Sequence, residues 1–311
     1  MRGANSLWHH DGNEKLRLWG FYVHGCVDGF SRLIVYLGVS TNKKASTVTG
    51  MFKLAIGELG APSQVRGDFG TENNGVEKLM QELRGVLHRP YIRGKSVALH
   101  QHSVKLIGTH KPRSIRSLHN IRIERMWRDV RKDCLEMFRQ TFRYLEHAGL
   151  LNIDIRLHRV ALFLVYGGRI QQSLDRMRHA WNAHPLRGKK MKSPNVLFMM
   201  SREEAIRDNR WFDNPGDDLE TASDPLYGVD QPDGFMSHIN DFEPDTVQDE
   251  IEEGIRINTD EEIQHAQQAL PDFDFDFEDN NWGISVYAQA VFRMATVYPA
   301  EAAEALQGGF V

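Results

Sequence analysis

Cysteine is nearly missing from this chain: 311 residues carry two, Cys26 and Cys134, far apart in sequence. That excludes a disulfide scaffold and a Cys-rich zinc module, and suits a reducing compartment. Long apolar runs are missing too. No 18 consecutive apolar residues occur, which excludes a membrane-spanning helix. Met1-Arg2-Gly3-Ala4-Asn5-Ser6 lacks the apolar centre of a secretory signal, so secretion is not expected. Charge is lacking by region. Residues 1–200 hold 33 Lys+Arg against 15 Asp+Glu, and residues 201–311 hold 5 against 27. The overall charge of −4 thus hides a basic body and an acidic tail. A basic body points to a polyanionic partner. The plainer reading is two well-solvated halves. What remains is ordinary for a globular chain, 41% hydrophobic and 26% charged, and long enough for one or two cores.

Along the chain the hydrophobic period changes several times. Residues 8–40 predict a strand meander: Trp8 to Asp11, Gly20 to Val27, an Asp28-Gly29 turn, and Leu33 to Val39. Val48, Met51, Phe52, Ala55, Ile56 and Leu59 recur at helical spacing, and Gly60 with Pro62 stops them. A short strand at Gln64-Val65-Arg66, a helix over 74–84 and a strand from His88 to Ile92 follow. This predicts an α/β layout with a mixed sheet. After residue 118 the pattern is helical. One stripe holds Ile121, Met126, Val130, Cys134, Met137, Phe138, Phe142 and Leu145, and a second helix covers 154–182. Beyond residue 200 periodicity fades. The acidic runs 213–224 and 271–279 are expected to be mostly disordered, with short helices. In the second run, Phe273, Phe275 and Phe277 alternate with acids, which fits a solvated tail or a segment that binds a protein partner.

Residues 98–118 fit no period. His100, His102, His110 and the nearby His119 lack a carboxylate neighbour and a helical His spacing, so an irregular loop is expected rather than a metal site.

Three acids stand out by position. Asp11 lies in a strand near the chain start, Asp68 ends another strand, and Glu124 lies near the start of a long helix. Carboxylates on adjacent strand ends and a facing helix can converge, but they repel and need cations. Hard oxygen donors suit Mg²⁺ or Mn²⁺, and two such ions about 4 Å apart suit phosphodiester chemistry. Asp28 competes for the first place, but it precedes Gly29 in a tight turn, where Asp serves turn geometry.

Five strings carry a resemblance. They are Trp8-His9-His10-Asp11-Gly12-Asn13-Glu14, Val27-Asp28-Gly29-Phe30-Ser31-Arg32, Arg66-Gly67-Asp68-Phe69-Gly70-Thr71-Glu72-Asn73, His119-Asn120 to Trp127, and Trp181-Asn182-Ala183-His184-Pro185-Leu186. In this order across 8–197 the chain resembles the integrase core of DDE transposases and retroviral-type integrases, especially eukaryotic integrase-core proteins derived from mobile elements. The resemblance implies an RNase H-like fold: a mixed five-stranded sheet flanked by helices over 8–148. A helical extension to residue 200 and an acidic, largely disordered tail over 201–311 complete the expected domains.

For function, the resemblance implies metal-dependent DNA strand transfer or cleavage, with Asp11, Asp68 and Glu124 as catalytic acids and ligands of two Mg²⁺ or Mn²⁺ ions. DNA is the implied partner, a homo-oligomer is compatible, no membrane is involved, and the nucleus is the implied compartment. Asn120 shares a helix face with Glu124, and Arg125 and Arg128 lie nearby, so this helix is expected to touch phosphates. Lys189, Lys190 and Lys192 form a basic loop suited to DNA backbone or simply to solvent. Two departures favour a different outcome, a domesticated, non-catalytic DNA-binding or scaffold protein. The chain starts ten residues before Asp11, so the family's upstream DNA-recognition module is expected to be absent. Asp68 and Glu124 are separated by 55 residues, more than the family's spacing. Removing 98–118 would restore it, so this stretch is expected to be a retained intron, or else a genuine inserted loop. A simple nuclease of the same fold is a third reading.

Overall fold

A computed structural model describes residues 1–68, 70–93, 121–210 and 258–300. The expected mixed sheet is present. Its strands are β1 (Leu7–Asn13), β2 (Tyr22–Asp28), β3 (Ile34–Ser40), β4 (Gln64–Gly67) and β5 (Tyr91–Arg93), in the order β3-β2-β1-β4-β5. The first three pair antiparallel, as hairpin-linked strands do. β4 and β5 run parallel to β1 through helical crossovers. β5 starts later than expected, because a short 3₁₀ turn occupies Val86–His88 and Arg89 turns left-handed at φ 44°.

Helices cover both faces of the sheet, as the near-continuous apolar runs require. On one face, α1 (Ala45–Leu59) and α2 (Asn74–Arg84) bury Val48, Phe52, Val76 and Met80 against Trp8, Cys26, Val35 and Val65. On the other lie α3 (Ile121–Val130), α4 (Glu136–His147) and α5 (Arg156–Ala183). There Phe21 stacks on Phe142 at 5.3 Å, and Phe142 meets Tyr166 edge-on at 5.0 Å.

α3 and α4 form one helix joined by a π turn at Arg131–Leu135. The stripe explains the turn. Val130, Cys134, Phe138 and Phe142 repeat every four residues, more than the 3.6 of an α-helix, and the wider turn absorbs the drift. Met137, expected on this stripe, is instead 37% exposed because it falls beside the corrected face.

β3 is a sheet edge, and α5 covers it with side-chain amides. Gln171 accepts from Val39 N at 3.0 Å and donates to Leu37 O at 3.1 Å. Asn182 accepts from Ile34 N at 2.8 Å and donates to Ile34 O at 3.0 Å. Trp181 Nε1 donates to Arg32 O at 2.9 Å. The Trp181-Asn182 string therefore closes an edge that would otherwise offer unpaired backbone groups.

The tail departs from expectation. α6 (Pro194–Arg207) crosses residue 200, and residues 258–300 are ordered. There α7 (Asp260–Ala269) opens with a Thr259–Glu262 capping box, and α8 (Ile284–Val297) packs Val286, Tyr287, Ala290 and Met294 into the main core beside α5. Between them the aromatic–acid alternation is half inward. Phe275 is buried, Phe273 packs on the core, and Arg169 donates to Phe277 O at 2.6 Å. Local acidity misled the disorder expectation, because the apolar positions that order this segment find their partners on distant α5. The run 213–224 and the stretch 98–118 lie outside the described residues.

Candidate functional site

Strand register brings Asp11 and Asp68 to the same end of two paired strands. The parallel ladder between β1 and β4 pairs His9 with Arg66. Asp11 and Asp68 each lie two residues further along in the same direction, Asp68 just past the end of β4, so continued alternation directs both to the same face of the sheet. That face is the one covered by α3. The backbone around each acid holds its carboxylate. Asp11 Oδ1 accepts from Gly12 N at 3.0 Å. Asp68 Oδ1 accepts from Gly70 N at 3.1 Å and from the Asn73 side-chain amide.

Glu124 comes from α3, which packs on β1 and β2. Three residues further on the same helix face, Trp127 donates its indole N–H to Asp11 Oδ2 at 3.1 Å. Gly25, directly opposite Asp11 on β2, makes room for this ring. A Cβ placed there would lie 2.7 Å from Trp127 Cη2. The helix carrying the third acid is thus anchored on the strand carrying the first. Glu124 itself is exposed. Among the described residues, no three His, Cys, Asp or Glu are drawn together as a cage for an ion. Three carboxylates repel at short range, so closing the set requires neutralising charge. The donors present are hard oxygens, which fit Mg²⁺ or Mn²⁺ rather than a softer metal.

Sequence reasoning passed over several groups around these acids. Glu72 is held near neutrality, its pKa pushed up to about 7 by burial and then by the charge of Asp68. Lys43 pairs with Glu14 at 3.2 Å just beyond the end of β1. Behind the two strand ends, His10 Nε2 bonds Tyr91 Oη at 2.7 Å. Burial, then the charge of His24, lowers the His10 pKa to about 3, so it is a neutral imidazole. The strings around Asp11 and Asp68 contained Glu72 and His10, but nothing in them marked which side chains would be buried.

Asp28 does what a turn residue does. It is fully buried and accepts from Asn5 N at 2.9 Å, Ser31 N at 2.7 Å and Ser31 Oγ at 2.6 Å. Arg125 and Arg128 lie on α3, half-buried and exposed respectively. Asn120 lies outside the described residues. The basic loop is not brought to the acids. Lys189 Nζ sits 5.4 Å from the centre of the Phe30 ring. Phe30 follows Asp28, whose cross-strand partner is Trp8, three residues before Asp11. Lys189, with Lys190 and Lys192 beside it, is therefore at the opposite end of the strands, at least ~10 Å along the sheet from Asp11.

The sequence pattern of the integrase core domain matches residues 1–107 and 99–210. The chain belongs to the integrase core domain family. This integrase core is similar in structure to the HTLV-2 integrase catalytic core domain in complex with magnesium, in its trimeric form. The two share 16% identity over 63% of this chain and 97% of the other, at a TM-score of 0.36. The simian T-cell lymphotropic virus intasome in complex with the PP2A regulatory subunit B56 gamma also matches. It does so at 16% identity and a TM-score of 0.36, over 64% of this integrase core and 55% of that chain. No curated protein matches its sequence.

Proposed function

We propose that this integrase core is a divalent-metal-dependent polynucleotidyl transferase that cleaves or joins DNA strands. The observation that supports this reading is the parallel β1–β4 register, which brings Asp11 and Asp68 to the same strand ends, with the Glu124 helix tied to Asp11 through Trp127. Asp11, Asp68 and Glu124 are the residues that would hold Mg²⁺ or Mn²⁺, as two ions. The chemistry such ions supply is activation of an attacking water or 3′-hydroxyl and stabilisation of the leaving oxygen of a phosphodiester. Arg125 and Arg128, on the Glu124 helix, bind the backbone phosphates beside the cleaved bond. Asn120, the residue before Ile121 in sequence, is proposed as a further phosphate contact. Lys189, Lys190 and Lys192 meet backbone further along the duplex, given their place at the far strand ends. Acting on chromosomal DNA, the protein works in the nucleus. A homo-oligomer is compatible with the reaction.

The test is a purified full chain, assayed for nicking and strand transfer with Mg²⁺ or Mn²⁺ and for duplex binding across a salt series. Asp11→Asn, Asp68→Asn and Glu124→Gln each abolish cleavage and joining. Metal-free DNA binding stays equal or tightens, because each change removes negative charge beside the phosphates. Binding weakens steeply with salt, as phosphate contacts require. Activity that survives all three substitutions rejects the assignment. An inactive wild type that still binds DNA establishes the domesticated, non-catalytic reading instead.

A further inference from the structure

We infer that Trp127 is a positioning residue, which sets the orientation of the Asp11 carboxylate and ties the Glu124 helix to it. The inference rests on the proposed metal-binding role of the three acids. The terminal torsion of an aspartate is broad and weakly restrained, so its carboxylate plane must be fixed from outside. Donors on both of its oxygens contribute to this here, among them Gly12 N on Oδ1 at 3.0 Å and Trp127 Nε1 on Oδ2 at 3.1 Å. An N–H on Oδ2 takes up one of the two lone pairs of that oxygen.

The ring itself cannot wander. It is 7% exposed and belongs to the main core, and its Cη2 is seated over Gly25. Of the atoms a Cβ at position 25 would meet, Trp127 Cη2 is nearest at 2.7 Å, ahead of Leu37 Cδ2 and Met126 Cε at 3.0 Å. The glycine stands opposite Asp11 in the β1–β2 ladder. Thus β2 has no side chain where α3 comes down, and the indole fills that place with its N–H toward the acid. Because Glu124 precedes Trp127 by three residues, the same anchor fixes the position of Glu124 along β1. A tryptophan does both jobs. Its apolar body locks into the core, and its one donor reaches the carboxylate.

The experiment measures Mn²⁺ binding by the electron paramagnetic resonance signal of the free ion, with no DNA present, so it does not depend on turnover. Wild type, Trp127→Phe, Gly25→Ala, Asp11→Asn and the Trp127→Phe/Asp11→Asn double variant are compared, with circular dichroism checking the fold of each. Trp127→Phe keeps a ring but removes the donor, and it weakens Mn²⁺ binding by about 10–100-fold, the usual cost of losing an outer partner of a ligand. Gly25→Ala leaves every donor in place but displaces the ring, and it weakens binding in the same direction. It therefore decides the matter if Trp127→Phe does not fold. In the Asp11→Asn background, Trp127→Phe has no further effect, because the indole acts through that carboxylate. Wild-type Mn²⁺ affinity in the folded Trp127→Phe and Gly25→Ala proteins overturns the positioning role. An equal loss with and without Asp11 overturns it too and makes the indole a general packing residue. A wild type whose Mn²⁺ binding ignores Asp11→Asn, Asp68→Asn and Glu124→Gln overturns the metal-site reading on which the inference rests.

Discussion

Asn182 shows how much one side chain can decide. Its amide satisfies both the N–H and the C=O of Ile34 on the edge strand, and it is itself buried. Asn182→Ala leaves the Ile34 N–H unpaired where water has little access, at about 1–3 kcal/mol, while the Ile34 C=O keeps its bond from Arg178 Nε at 3.3 Å. A loss of about 1–3 kcal/mol in urea unfolding is expected. His24 makes a second residue-scale case. Its Nε2 faces Ser40 Oγ at 3.1 Å and Asn42 O at 3.2 Å. Burial lowers its pKa to about 4, against the Asn42 carbonyl, which raises it, and with Lys43, which lowers it further. The unfolded chain therefore takes up a proton below the ordinary value near 6.5, while the folded chain does not. Stability from the neutral imidazole is complete above that value and falls with pH until about 4. Other groups titrate over the same range, so the readout is a difference. The stability of wild type minus that of His24→Gln falls by about 1.4 kcal/mol per pH unit between these limits and then levels off.

The α3–α4 helix is an element whose period had to be repaired. Ile123, Met126, Trp127 and Val130 follow α spacing, and so do Phe138, Phe142 and Leu145 when counted by themselves. Between the two sets the count is one residue too long, and the π turn at Arg131–Leu135 takes it up. Deleting exposed Lys132 leaves an unbroken α pattern with every buried side chain still in phase. Deleting exposed Gln140 turns Phe142 and Leu145 by about 100° away from the core. Thermal denaturation by circular dichroism distinguishes them. The Lys132 deletion melts within a few degrees of wild type, while the Gln140 deletion loses most of its cooperative transition.

At the scale of the whole molecule, the acidic tail is half a partner of the basic body. Residues 258–300 bury Phe275, Tyr287 and Met294 against the α5 side of the main core, and Arg156 pairs with Glu262 at 2.5 Å. Ending the chain at residue 210 would remove a block of acid proposed to compete with DNA for the basic surface, but it would also remove the segment that packs on α5. The truncated protein is expected to bind 8-anilinonaphthalene-1-sulfonate and to self-associate on size exclusion, as exposed apolar patches do. A truncated chain that stays monomeric, with an unchanged melting temperature, contradicts the packing of this segment. Charge neutralisation within the intact chain is the cleaner way to test competition with DNA. Replacing the exposed acids Asp272, Asp274 and Asp276 with Asn keeps the inward phenylalanines and is expected to tighten DNA binding, most at low salt.

The sequence by itself determined the strand and helix periods, the five-stranded α/β layout, the turn role of Asp28 and the family strings around Asp11, Asp68 and Glu124. Each of these depends on neighbours a few residues away, through side-chain alternation, helical spacing or turn chemistry, so it is written locally. Other features depend on residues far apart in the chain. The indole of Trp127 on Asp11, the seat for it at Gly25, the Asn182 clamp on β3 and the docking of 258–300 on α5 join distant positions. The place of the Lys189 loop was also invisible in sequence, because only the sheet decides which strand end a loop reaches. An acidic, aperiodic stretch reads as solvated until a distant apolar face is there to receive its few aromatic side chains, and only the folded chain supplies that face.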